Sequence, residues 1–252
     1  MKDIKILGVK VTSAKAEEIH QEISRLIQSE GQGFVLSGNI HSLNLARKNP
    51  WLADFFNQAD LVWVDGSGIV LGAKLLGYRI NQRLTWADWG WMLGAYVASQ
   101  GHTLFLLGGP EGAAFEAARK LEERSSGLKV VGTHHGFFTK KGPENQAVIA
   151  QINRAKPDIL VVGLGMPLQE RWLLDNYRSI KTKVFITSGA AFQYLAGWTK
   201  RCPQWMASNG LEWLYRLMQE PVSKAKRYLW GNPVFIFHVL MEKYGLRGKP
   251  TI

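Results

Sequence analysis

The sequence predicts an α/β fold with a mostly parallel sheet, on three observations. Short apolar runs recur through the first three quarters of the chain, and segments of helical spacing separate them. The runs also end repeatedly in glycine beside a small or acidic residue, as buried parallel strands do where they hand over to a helix. At 252 residues, 46% hydrophobic and 20% charged, the chain can bury a sizeable core as one domain with or without an appendage.

Taken in order, residues 4–9 read as a first strand. Ser13 is then placed to cap a helix running to about Gln28, with Ile19, Ile23 and Leu26 on one face. A second strand spans residues 33–39, and a third, residues 61–64, closes on Asp65-Gly66-Ser67-Gly68. Residues 85–99, rich in Trp and Ala, read as a helix. The strand at 103–107 enters the turn Gly108-Gly109-Pro110-Glu111-Gly112, and an Ala-rich helix follows to about Ser125. A shorter strand at 129–133 leads into a loop carrying His134, His135, Phe137 and Phe138. A helix near 144–155 precedes a strand ending in Gly163-Leu164-Gly165, and the last strand ends at Ser188-Gly189. From Pro203 the texture changes: Trp205, Trp213, Tyr215, Tyr228, Trp230, Phe235 and Phe237 interleave with bases, with helix breaks near Pro221 and Pro233. Residues 1–195 are expected to form a Rossmann-like α/β catalytic domain with flanking helices. Residues 196–252 are expected to form a basic, aromatic-rich helical appendage.

Composition excludes several classes. A lone cysteine, Cys202, rules out a disulfide framework and a multi-cysteine metal site, and fits a reducing compartment. The N-terminus lacks the apolar core of a signal peptide, and no stretch approaches the roughly 20 apolar residues of a membrane span. The chain is therefore expected to be soluble or peripheral. A net charge of +11 asks for an anionic partner, and the excess is weighted to the tail. There Lys200, Arg201, Arg216, Lys224, Lys226, Arg227, Lys243, Arg247 and Lys249 face only Glu212, Glu220 and Glu242. There is no P-loop, serine elbow, H-E-x-x-H, zinc-spaced Cys/His cluster or Asp-x-Asp pair, and the dinucleotide fingerprints at Gly66 and Gly163 are incomplete. A bound diphosphate would have to be held by arginines, helix N-termini and backbone N–H groups. A basic nucleic-acid-binding α/β protein is the alternative from another class, although no nucleic-acid motif is present.

Candidate site residues cluster at the strand ends. Ser37-Gly38-Asn39, Asp65-Gly66, Gly108-Gly109, Gly163-Leu164-Gly165 and Ser188-Gly189 all lie at a sheet's carboxyl edge, where open α/β sheets bind ligands. Each alone reads as readily as a turn: Asp65 before glycine, Ser37 and Asn39 as caps. Arg83 reads by default as a surface arginine, and Gln169-Glu170 as a polar first turn.

Together these segments resemble a known family. Asn39 with Asn44-Leu45-Ala46 and Asn49-Pro50, Ala59-Asp60-Leu61, Asp65-Gly66-Ser67-Gly68 and Arg83 match the first half of the WecG/TagA/CpsF family of bacterial glycosyltransferases. Leu106-Leu107-Gly108-Gly109, His135-Gly136-Phe137-Phe138 and Val162-Gly163-Leu164-Gly165-Met166-Pro167-Leu168-Gln169-Glu170 continue it. So do Arg201-Cys202-Pro203 and Gly210-Leu211-Glu212-Trp213-Leu214-Tyr215-Arg216-Leu217, and the match spans nearly the whole chain.

The resemblance implies metal-independent, inverting transfer from a UDP-sugar to a polyprenyl-diphosphate-linked saccharide, in assembly of cell-surface polysaccharide or teichoic-acid-type polymer. Asp65 aligns with the proposed general base. Ser37, Asn39, Arg83, Gly108, Gly109, Phe137, Gly163, Gly165, Gln169, Glu170 and Gln193 are expected about the donor and acceptor. Arg201, Arg216, Lys224 and Arg227 are expected at the lipid diphosphate and an anionic membrane surface. The expected place is the cytoplasmic face of the cell membrane, with no cofactor beyond the UDP-sugar substrate, no nucleic acid, and a homo-oligomer left open. The chain departs from the family at Trp86, Leu168, Gln193 and Cys202; of these, Trp86 and Gln193 bear on the donor sugar and not on Asp65.

Overall fold

Leu61 and Trp63 belong to one hydrophobic cluster and Val62 and Val64 to another, so one four-residue run feeds both faces of the sheet. A strand with no solvated face must be apolar at every position, which is why this sequence shows continuous runs rather than alternation. The computed structural model describes residues 1–246; Arg247 and Lys249 of the basic tail lie outside the described residues.

The chain opens with an antiparallel hairpin, β1 (Lys2–Ile6) and β2 (Val9–Ser13). The single strand expected over residues 4–9 is in fact interrupted by the hairpin turn. Leu7 and Gly8 both take positive φ, 54° and 81°, the geometry that suits a two-residue turn between twisted strands. The helix α1 (Ala16–Gln28) begins after Lys15, not Ser13, whose hydroxyl instead accepts the Asn81 N–H at 2.9 Å.

There follow β3 (Gly33–Gly38), α2 (Ile40–Lys48), α3 (Pro50–Gln58), β4 (Leu61–Val64), α4 (Ser67–Leu75) and α5 (Trp86–Gln100). The second half contains β5 (Thr103–Gly108), α6 (Ala113–Arg124), β6 (Lys129–His134), α7 (Gly142–Ala155), β7 (Ile159–Gly163), α8 (Leu168–Asn176), β8 (Val184–Thr187) and α9 (Ala191–Leu195). The eight strands are ordered β1-β2-β4-β3-β8-β7-β5-β6, and every neighbour pair but the hairpin is parallel. Two halves, β2-β4-β3 and β8-β7-β5-β6, therefore meet where β3 lies beside β8. Such a junction leaves a crevice above the carboxyl ends of its strands.

Helices α1, α5, α6 and α9 cover one face, with Ile19, Trp89, Leu121 and Phe192 in its core. Helices α2, α3, α4, α7 and α8 cover the other, with Leu43, Phe56, Ile69, Ile152 and Trp172. The C-terminal region is helical as expected: α10 (Gln204–Ser208), α11 (Glu212–Gln219), α12 (Pro221–Ala225), a π-helical turn (Lys226–Trp230) and α13 (Gly231–Lys243). Its last helix packs against α2 and α4, and Phe235 and Val239 are fully buried in the second core. A side chain at Gly72 would meet the Phe235 ring at 2.7 Å, so α4 thins at that point to admit the ring. Met218, Val222, Leu229, Trp230 and Phe237 of the same region are exposed. Among the described residues no helix is long and apolar enough to cross a membrane.

If α13 is part of the cooperative core, Phe235→Ala should cost about 3–5 kcal/mol, the usual loss for a large aromatic removed from a packed interior. Urea unfolding should show this as a lower midpoint in a single transition. A change below ~1 kcal/mol would show that α13 unfolds separately.

Candidate active site

Gly38 pairs with Val64 in the parallel register of β3 and β4, so the next residues on the two strands, Asn39 and Asp65, emerge side by side. The Asp65 N–H continues the ladder to the Gly38 carbonyl at 2.9 Å. Asn39 caps α2: its Oδ1 accepts the Ser42 N–H at 3.1 Å, and the Ser42 hydroxyl accepts the Asn39 N–H in return. Because the oxygen is committed to the cap, the amide must aim its NH₂ outward, and Nδ2 donates to Asp65 Oδ2 at 3.2 Å. Gly66, at φ 88°, turns the chain from β4 into α4, a conformation that side-chain-bearing residues avoid. Its N–H is received by the Leu84 carbonyl at 2.9 Å.

Asp65 opens into a cleft of about 740 Å³ over the junction of the two half-sheets. Ser37 and Asn39 line it from β3, Gly165 from the turn after β7, and Ser188 and Gly189 from the end of β8. The C-terminal helices close the opposite side with Glu212, Arg216, Lys224 and Arg227. Burial pushes the Asp65 carboxyl above its ordinary value, and the neighbouring Glu212 adds to this; the Asn39 hydrogen bond and the charges of Arg227 and Arg216 pull the other way.

The cations expected of the site divide into two groups. Arg83 is paired with Glu212 at 2.8 Å, latching the segment before α5 to α11. Arg201 grips Asp88 through both terminal guanidinium nitrogens, and Lys224 is paired with Glu220 at 3.0 Å. Arg216 instead lies over the Tyr194 ring at 5.0 Å with its buried Nε lacking an acceptor among the described residues, and Arg227 lies over Tyr228 at 5.5 Å. These two are the cations whose charge bears on Asp65.

Other expected residues stand behind or outside the cleft. Gln169 is buried; its Oε1 accepts the N–H of the lining residue Gly189 at 3.0 Å, and its Nε2 donates to Glu170 Oε1 at 2.8 Å. It braces the cleft wall from behind. Glu170 is fully buried with Oε2 unpartnered among the described residues, and burial pushes its carboxyl up to about 7. Gly108 and Gly163 sit back to back: a Cβ on Gly108 would lie 2.3 Å from the Gly163 carbonyl oxygen. Gly109 extends this contact by donating to that oxygen and accepting from the Gly136 N–H. These glycines let β5, β7 and the loop after β6 approach closely, which fills their strand ends. Phe137, 76% exposed, lies on that loop away from the cleft lining. Gln193 is also outside the lining, and its carbonyl closes α9 by accepting from Trp198 and Thr199.

Sequence reasoning passes over His41, Thr85 and Tyr194, which also line the cleft. For His41 the available signal is position, on the first turn of α2 two residues beyond Asn39. Burial, then the charges of Arg227 and Lys224, push its imidazole down to about 4. Among the described residues no three His, Cys, Asp or Glu side chains are grouped so as to hold a metal ion.

Sequence similarity to known proteins extends over nearly the full length. The sequence is 26% identical to the N-acetylglucosaminyldiphosphoundecaprenol N-acetyl-β-D-mannosaminyltransferase of Staphylococcus aureus strain MRSA252, over 95% of this chain and 93% of that protein. The protein of the same name from strain MW2 is similar to the same extent, 26% identical over the same shares of both chains. The sequence model of the glycosyl transferase WecG/TagA/CpsF family matches residues 4–249, and the chain belongs to that glycosyltransferase family.

Proposed function

We propose that the protein transfers a sugar from a UDP-sugar to N-acetylglucosamine carried on a polyprenyl diphosphate. The transfer is by single displacement with inversion, without a metal ion, at the inner face of the membrane. The acceptor is supported by the Staphylococcus aureus relatives, which are N-acetylglucosaminyldiphosphoundecaprenol N-acetyl-β-D-mannosaminyltransferases.

One observation carries the mechanism. Among the described residues two carboxylates line the cleft, and while Glu212 is tied to Arg83, Asp65 is held by the Asn39 amide and faces Arg216 and Arg227. A carboxylate held this way removes the proton of the acceptor hydroxyl as its oxygen bonds to the sugar's anomeric carbon. The bond from that carbon to the UDP oxygen breaks on the opposite side, and the departing diphosphate's charge falls to the cleft's cations. A base with its pKa raised toward the working pH is better matched to this task than an ordinary aspartate.

The exposed Met218, Val222, Leu229 and Trp230 border the cationic wall on the same segment of chain. Apolar and aromatic side chains beside lysines and arginines suit an anionic bilayer interface, where the lipid-linked acceptor resides.

A UDP-release assay over a panel of UDP-sugars, with a short-chain prenyl-diphospho-N-acetylglucosamine as acceptor and EDTA present, tests the function. Turnover with at least one donor is expected, and none with any donor would overturn it. In that assay Asp65→Asn should lower kcat by roughly 10²–10⁴ while UDP binding persists; full activity in the variant would remove Asp65 from the mechanism.

The pH dependence has a definite sign. The base works deprotonated, so kcat/KM falls as pH drops through the Asp65 pKa. Asn39 holds that pKa down, and Asn39→Ala should therefore move the acid limb of the profile to higher pH. An acid limb unmoved, or moved to lower pH, would contradict the assignment. For the membrane contact, Val222→Ser combined with Trp230→Ser should reduce co-sedimentation with anionic liposomes, and unchanged sedimentation would count against it.

A further inference from the structure

His41 lines the cleft from the first turn of α2, and Lys224 of α12 and Arg227 of the π-helical turn line it from the C-terminal segment. Both cations act on the imidazole, and both act in the same direction. Lys224 is steadied by Glu220 of α11, and Arg227 also bears on Asp65, so the three nitrogen-bearing side chains share one stretch of cleft. Further along the lining lie Arg216 and the Glu212 that Arg83 neutralises. The charges that bear on the His41 ring are thus all positive. A wall of this kind is complementary to a compact, multiply charged anion.

We propose that His41, Lys224 and Arg227 together form a diphosphate-binding wall, with His41 donating a hydrogen bond from a ring nitrogen to a phosphoryl oxygen. The inference rests on the function proposed above and adds to it a residue and a proton. With no anion in the cleft, the ring is neutral at pH 7, because burial and two cations disfavour its charge. A diphosphate seated against Lys224 and Arg227 reverses the sign of the field at the ring. His41 then takes one proton from solvent as the ligand binds, and no bond in the ligand changes. An imidazole is the side chain whose ordinary titration range lies nearest neutrality, so His41 is the member of this wall able to make diphosphate affinity depend on proton supply there.

The same diphosphate chemistry occurs in the nucleotide donor and in the lipid-linked acceptor, and the test separates them. Isothermal titration of the full chain with UDP, and separately with farnesyl-diphospho-N-acetylglucosamine, is run in two buffers of different ionisation heat. The difference in heat counts the protons taken up on binding, and His41→Gln provides the subtraction that cancels the ligand's own ionisation. Wild type should take up more protons than His41→Gln, up to about one per site, and more near pH 6 than near pH 8. His41→Gln should bind roughly tenfold more weakly near pH 6.

Excess uptake with UDP assigns the wall to the nucleotide diphosphate, and excess with the prenyl ligand assigns it to the carrier. Binding of both ligands without excess uptake overturns the inference and leaves the proposed sugar transfer standing. Failure of wild type to bind either ligand overturns both. If His41→Gln does not fold, wild-type uptake measured against the ionisation of the free ligand decides the same question.

Discussion

A sheet buried on both faces leaves its polar chemistry one place to go. Every residue of β4 and β7 is buried, and the residues of β5 and β8 alternate between two apolar cores. No titratable group can point from the middle of such a strand without losing its hydration. The carboxyl ends are different, because a strand stops there, a helix begins, and unpaired N–H groups and a crevice are available. The site lies above β3, β4 and β8 for this reason. It does not extend over β5 because Gly108, Gly109, Gly136 and Gly163 have closed that end by backbone contact.

Within that crevice two demands meet on one amide. Asn39 must cap α2, which fixes its oxygen, and what remains of the side chain is a donor aimed at Asp65. Local structure therefore dictates the electrostatics of the neighbouring strand end, because an aspartate in place of Asn39 could cap the helix but would set a second negative charge against Asp65. The balance at Asp65 is between burial, which favours the neutral acid, and one hydrogen bond and two guanidinium groups, which favour the anion. Gln169 does comparable work for the opposite wall, holding the Gly189 N–H from a position ligands do not reach.

Much of the fold is legible in the sequence because strands buried on both sides must be written as unbroken apolar runs. The exceptions are equally physical. Residues 4–9 read as one strand because Leu7 is apolar, yet its left-handed backbone makes it half of a turn. The strand-end glycines look alike in sequence. Gly66 serves a change of chain direction, and Gly108 serves a backbone approach to Gly163 so close that an added Cβ would fall 2.3 Å from the Gly163 carbonyl oxygen, a difference only the packing of β5 on β7 reveals. Of the site, Ser37, Asn39 and Asp65 are visible because they stand at strand ends. His41 and Tyr194 are not, since each enters the cleft from the side of a helix, and the cations facing His41 are some 180 residues away in the chain.

The stretch from Glu212 to Trp230 has two sides with opposite requirements. Arg216, Lys224, Arg227 and Tyr228 turn toward the cleft, and Met218, Val222, Leu229 and Trp230 turn toward solvent. The stretch is pinned at both ends, by the Arg83 latch at Glu212 and by the burial of Phe235 just beyond it. A helix advances about 100° per residue, so gaining or losing one residue here would carry the guanidinium groups outward and apolar side chains into the cleft. Substitutions in this stretch can be absorbed one at a time, but a change in its length cannot. The π-helical turn at Lys226–Trp230 is itself a local change of winding, and it leaves Arg227 and Tyr228 facing inward. Length, rather than residue identity, is the quantity that descendants of this chain are least free to vary between α11 and α13.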